Sequence, residues 1–111
     1  MIKKEDSVWN TDSTQQLARA MTAISNKSDM QNFLRDVMTE KEIIEISSRL
    51  EAARMLTNGE KYTEIIKQTK LSSRTVARIS DWLQNGCKGY PVALSIVSDS
   101  HQVHIQPARA K

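Results

Sequence analysis

A single cysteine, Cys87, excludes an intrachain disulfide and leaves neither a CxxC redox pair nor a zinc knuckle. Three glycines and two prolines exclude a collagen-like or low-complexity chain. The five aromatic residues, Trp9, Phe33, Tyr62, Trp82 and Tyr90, are few for a β-sandwich core. No run approaches the roughly 18 apolar residues of a membrane span, and Met1 to Asn10 lack the apolar segment of a signal peptide. A reducing, cytoplasmic setting is the expectation. Catalytic patterns are missing too: there is no Ser/His/Asp, Cys/His or paired-carboxylate arrangement with supporting context, and no phosphate-binding glycine loop. His101 and His104 stand three apart without a nearby acidic cluster, so no metal is expected, and Cys87 beside Lys88 reads as an incidental thiol. An enzyme is not expected.

What remains is 111 residues, 39% hydrophobic and 26% charged, enough for one compact domain. Met, Leu, Ile, Ala, Lys, Glu and Arg dominate the middle of the chain, which predicts an all-α fold. The net charge of +3 is modest, but its distribution is uneven. Residues 36–51 carry five acidic groups against Lys41 and Arg49, whereas residues 52–111 carry nine basic groups against four acidic ones. That asymmetry suits a helical scaffold presenting a cationic element to a polyanion, although a charge run is also what a solvated face looks like.

Leu17, Met21 and Ile24 recur at helical spacing and predict a first helix over about 13–26. Ser28 three residues before Gln31 has capping-box spacing and predicts the start of a second helix, bearing Met30, Phe33, Leu34, Val37 and Met38. Thr39 and Glu42 repeat that signature ahead of the longest helix, from Glu40 to Asn58, with Ile43, Ile46, Leu50, Ala53 and Leu56 on one face and Asn58-Gly59 at its end. Ile44 and Met55 lie off that stripe, which predicts burial of more than one face, as in an obligate dimer. Two short helices are predicted over about 61–69 and 73–84, with Ser72 or Ser73 available to cap the second. The segment from Pro91 to Val97 is apolar enough for one docking helix or strand, and residues 98–111 have no sustained period, which predicts a mobile tail.

The segment from Tyr62 to Ile79 has the spacing of a helix-turn-helix. Ile65 and Ile66 fall on its first helix, Leu71 at the turn, and Val76 and Ile79 on its second. The second helix then shows Ser73, Arg74, Thr75, Ala77 and Arg78, types that hydrogen-bond a base edge or phosphate or sit against a thymine methyl. Its free amino-terminal amides, beside Ser72, favour phosphate, and Lys67, Lys70 and Lys88 are candidates to hold further phosphates. A plain helical hairpin with a polar face has the same periodicity, and Lys70 stands where glycine is common in the turn. Trp82 reads as a core anchor near the end of the second helix.

Over residues 13–97 the sequence resembles the Trp repressor-like family, most closely its YerC/YecD-type branch. The likeness is carried by Phe33-Leu34-Arg35-Asp36-Val37-Met38-Thr39 leading into Glu42-Ile43, and by Arg49-Leu50-Glu51-Ala52-Ala53-Arg54-Met55-Leu56 followed by Gly59. Tyr62-Thr63-Glu64-Ile65 and Thr75-Val76-Ala77-Arg78-Ile79, with Trp82-Leu83, Gly86 and Gly89-Tyr90, complete it. The resemblance implies a helical, intertwined homodimer between a flexible arm (1–12) and a flexible tail (98–111). It also implies a transcriptional regulator, a repressor, associated with the nucleoid. Its recognition helices, 73–84, would lie roughly 34 Å apart and meet double-stranded DNA at a near-palindromic operator. In the Trp repressor two arginines clamp tryptophan, and Arg49 and Arg78 match them; Ile79 and Trp82 replace the glycine and serine that leave room for that ligand and bind its amino group. A tryptophan-responsive repressor is thus one alternative, with Arg49 instead pairing with Glu45 as its counter-expectation. The other is a helical protein-interaction module without specific DNA binding.

Overall fold

The computed structural model describes residues 4–98 and, within them, contains helices only. After a turn of 3-10 helix, Lys4–Trp9, come α1 (Asp12–Ala23), α2 (Lys27–Val37), α3 (Glu40–Thr57), α4 (Tyr62–Thr69) and α5 (Ser73–Asn85). Residues 89–98 form α6, which resolves the helix-or-strand alternative for Pro91 to Val97. Ser98, placed at the start of the expected tail, is helical; His101 and His104 lie outside the described residues. The chain divides into two compact units, one ending at Ile43 and one beginning at Ile44.

In the first unit, the amino-terminal segment is tied to α1 by Gln15 Nε2, which donates to the Trp9 carbonyl at 2.8 Å. Thr11 caps α1, its hydroxyl accepting from the Thr14 amide at 3.2 Å, so the helix starts one residue earlier than its periodicity indicates and ends three residues sooner. For α2 the expected Ser28–Gln31 box is displaced. Asn26 has extended backbone and its Oδ1 accepts from the Asp29 amide at 2.9 Å, so the helix begins at Lys27. Asp29 then lies in the first turn, where its charge suits the helix dipole. Thr39 and Glu42 form the expected reciprocal box: the Glu42 amide donates to Thr39 Oγ1 at 3.1 Å and the Thr39 amide to Glu42 Oε1 at 2.8 Å. Neither α1 nor α2 buries a residue.

The second unit holds the core: Ala52, Ala53 and Met55 of α3, Ile65 of α4, Leu71 in the turn, Val76 and Ile79 of α5, and Leu94 of α6. The stripe expected on α3 is therefore corrected. Met55, off the stripe, is buried as expected, but Ile44 beside it in that reading is 57% exposed; Leu50 and Leu56 are half-buried, and Ile46 is 54% exposed. Apolar residues spread around α3 rather than along one side, and its fully buried positions include the two alanines, Ala52 and Ala53. Gly59, at φ +81°, closes α3: its amide donates to Leu56 O and the Glu60 amide to Met55 O, each at 3.0 Å. That pairing satisfies two carbonyls at the helix end.

Candidate nucleic-acid interface

Helices α4 and α5 pack against each other in the second unit, with Ile65, Leu71, Val76 and Ile79 shared in one core. Lys70 occupies the turn in a left-handed conformation, φ 64° and ψ 14°, and its amide donates to Ile66 O at 2.9 Å. Thr69 is the single buried polar side chain among the described residues. Its hydroxyl donates to Ile65 O at 2.7 Å and accepts from the Leu71 amide at 3.3 Å, bridging the end of α4 to the turn. Sequence reasoning passed over Thr69; its only signal is a β-branched hydroxyl in the last turn of a short helix, able to bond back to the i−4 carbonyl.

Ser72, not Ser73, is the N-cap of α5. Its Oγ accepts from the Thr75 amide at 3.1 Å and bonds the Thr75 hydroxyl at 3.0 Å. Two of the expected DNA-facing residues are thus engaged in a cap, and Thr75 is half-buried. Ser73, Arg74, Ala77 and Arg78 are exposed, together with Lys67, Lys70 and Lys88. Neither Arg74 nor Arg78 has an ion-pair partner among the described residues. Across residues 61–88 six basic residues face only Glu64 and Asp81, and both carboxylates accept from a neighbouring side-chain amide, of Gln68 and Asn85 respectively. Asp81, exposed one turn beyond Ala77 and Arg78, belongs to the same face and was not singled out by residue type alone.

Trp82 is 39% exposed, so it does not anchor the core as its position suggested. The reason is helical phase: Val76, Ile79 and Leu83 take the inward positions, and Trp82 falls beside them. Its backbone carbonyl accepts from the Gly86 amide at 3.0 Å, and a Cβ on Gly86 would stand 2.6 Å from that oxygen, so only glycine fits where α5 ends.

Arg49 Nε donates to Glu45 Oε2 at 3.1 Å, the pairing that competes with a ligand-clamping role. Arg49 also lies near Tyr90, whose hydroxyl is pushed above its ordinary value by burial, with the Arg49 charge pulling the opposite way. Ile79 is fully buried and fills space with side chain. An open groove of about 550 Å³ beside α3 and α6 is lined by Ser47, Leu50, Glu51, Arg54, Asn58, Val97 and Ser98, without Arg49 or Arg78. In it Arg54 is bidentate to Glu51, at 2.6 and 3.0 Å, which raises the arginine further above its ordinary value. No group of His, Cys, Asp and Glu among the described residues could hold a metal ion, and no described helix is long and apolar enough to cross a membrane.

Residues 12–98 match the family model described as Trp repressor protein. The uncharacterized protein YerC of Bacillus subtilis (strain 168) is 32% identical over 85 residues, spanning 77% of this chain and 82% of the relative. The crystal structure of a TrpR like protein from Eubacterium eligens ATCC 27750 superposes with a TM-score of 0.77 at 28% identity, covering 83% of this chain and 95% of that one. The family consists of regulators rather than enzymes. With its matching helical order and sequence, this chain belongs to the Trp repressor family.

Proposed function

We propose that the protein is a homodimeric, sequence-specific DNA-binding repressor that lays α5 in the major groove of a near-palindromic operator. The observation that carries this reading is the division of labour on α5. Val76 and Ile79 are fully buried and fix the helix, while Ser73, Arg74, Ala77 and Arg78 stand exposed with both guanidinium groups unpaired among the described residues. An unpaired arginine in the first turn of such a helix can donate two hydrogen bonds to guanine O6 and N7, and the Ala77 methyl suits a thymine methyl. Dimerisation is supported by large apolar side chains left in water: Leu17, Met21 and Val37 in the first unit, and Ile44, Ile46, Val92 and Ile96 in the second. Two-fold symmetry then supplies the second half-site.

Selection of bound fragments from randomised duplex DNA at roughly physiological salt tests the reading, because specificity at that salt separates base readout from counterion attraction. The wild-type protein should enrich a near-palindrome. Arg74→Ala should lose about 1–3 kcal/mol of binding to it and relax one base position in each half-site. Enrichment of nothing, with only weak and sequence-blind affinity, would favour an interaction module whose cationic helix docks an acidic protein.

A further inference from the structure

On α5, Val76 and Ile79 are fully buried and Leu83 packs against the same core, so these three mark the inward side of the helix. At 3.6 residues per turn, the line opposite them runs through Arg74 and Asp81, seven residues and almost two full turns apart, and both are exposed. A helix that rests on its apolar side and meets DNA with the other sends these two side chains deepest into the groove. Arg74 suits that place. Asp81 is a carboxylate aimed at a polyanion.

No ion pair among the described residues neutralises it. Arg78 stands three residues before Asp81, yet the two remain apart, whereas Glu51 and Arg54, at the same spacing in the opposite order, close a bidentate pair on α3. The hydrogen-bond partner of Asp81 is Asn85, whose Nδ2 donates to Oδ1 at 2.8 Å. That amide holds the carboxylate without discharging it and leaves Oδ2 to accept from outside the fold. In the major groove guanine and thymine present only acceptors at their polar edges, which repel a carboxylate, and the adenine amine stands beside the acceptor N7. Cytosine presents its N4 amine with no acceptor beside it on the same base.

We propose that Asp81 is a specificity-determining residue that accepts a hydrogen bond from the N4 amine of one cytosine in each half-site, with Asn85 as the positioning residue that orients its carboxylate. The same charge penalises any sequence lacking that amine, so Asp81 trades general affinity for discrimination. The proposal rests on the reading of α5 as the DNA-reading helix, and names a base which that helix would select.

The test uses the full chain, random duplex and the duplex that the chain selects. Asp81→Ala should bind random duplex severalfold more tightly, because a repelling charge is gone, and should select a motif in which one cytosine per half-site is relaxed. That position should differ from the one relaxed in Arg74→Ala, since the two residues stand about 10 Å apart along the helix and base pairs are spaced by about 3.4 Å. Asn85→Ala keeps the charge, and should relax the same cytosine without tightening on random duplex. Replacing that cytosine by 2-pyrimidinone, which lacks only the 4-amino group, should weaken the wild type about tenfold and leave Asp81→Ala indifferent. If Asp81→Ala tightens on every duplex alike with its motif unchanged, or responds to 2-pyrimidinone as the wild type does, Asp81 is a repelling charge alone; the proposal is then overturned while sequence-specific binding stands. A wild-type protein that selects no duplex would overturn the underlying reading as well.

Discussion

Residues 4–43 and residues 44–98 both carry well-formed, capped helices with apolar faces, yet the two stretches use them differently. From Ala52 onward eight apolar residues close into a core that excludes water from Ile65, Val76 and Ile79, although Val92 and Ile96 stay exposed. In α1 and α2 no residue is buried, and Leu17 and Met21 remain 43% and 39% exposed. An amphipathic pattern therefore reports a face that needs covering, not what covers it. The helix-turn-helix is stabilised by contacts within the second unit, while the first unit has no buried core in α1 and α2; both units leave apolar side chains exposed.

The largest expected effect falls on the second unit. Ile79→Ala should cost about 2–5 kcal/mol in denaturant unfolding, as removal of fully buried methylenes does. Leu17→Ala, measured at protein concentrations too low for association, should change stability by less than about 0.5 kcal/mol. Equal losses would erase the distinction between the two regions. The combined variant Leu17→Glu with Met21→Glu sharpens it from the other side: sedimentation should show a dimer for the wild type and a monomer for the variant, with helicity retained. A dimer surviving in the variant would place the interface elsewhere.

Smaller effects follow from single polar groups. Ser72→Ala removes the cap that holds the Thr75 amide and should cost about 1 kcal/mol of stability, with a parallel weakening of DNA binding because the first turn of α5 frays. The smallest is alkaline. Burial raises the Tyr90 hydroxyl above its ordinary value near 10, so the native state favours the neutral phenol more than the unfolded chain does. Its contribution is fully present below that ordinary value and is lost as pH rises through the raised one. Stability should therefore fall above about pH 10, and Tyr90→Phe should remove that part of the fall.

Much of this architecture is legible in the sequence where one local interaction decides the outcome. Thr39 and Glu42 satisfy each other's amides whatever lies around them, and Gly59 can close α3 because it alone tolerates its turn without strain. Legibility fails where two local signals compete, as at Asn26 and Ser28, because either side chain can cap a helix and the winner depends on the preceding backbone. It fails again where packing chooses among equivalent residues: Met55 is buried and Ile46 exposed, though hydropathy alone favours the reverse. At the interface the cationic face of α5 is legible from spacing. The Ser72 cap was one of two candidates that spacing offers, but the choice of Ser72 over Ser73, the bridging role of Thr69 and the left-handed backbone of Lys70 are not legible, since each depends on the surrounding packing rather than on residue type.

The most direct measurement is an NMR titration of the isotope-labelled full chain with its selected duplex. If α5 reads DNA, the largest amide perturbations should fall at Ser73, Arg74, Ala77 and Arg78, flanked by Lys67, Lys70 and Lys88, with those around Val92 and Ile96 unmoved. Perturbations concentrated on Leu17, Met21, Val92 or Ile96, with α5 silent, would contradict the account.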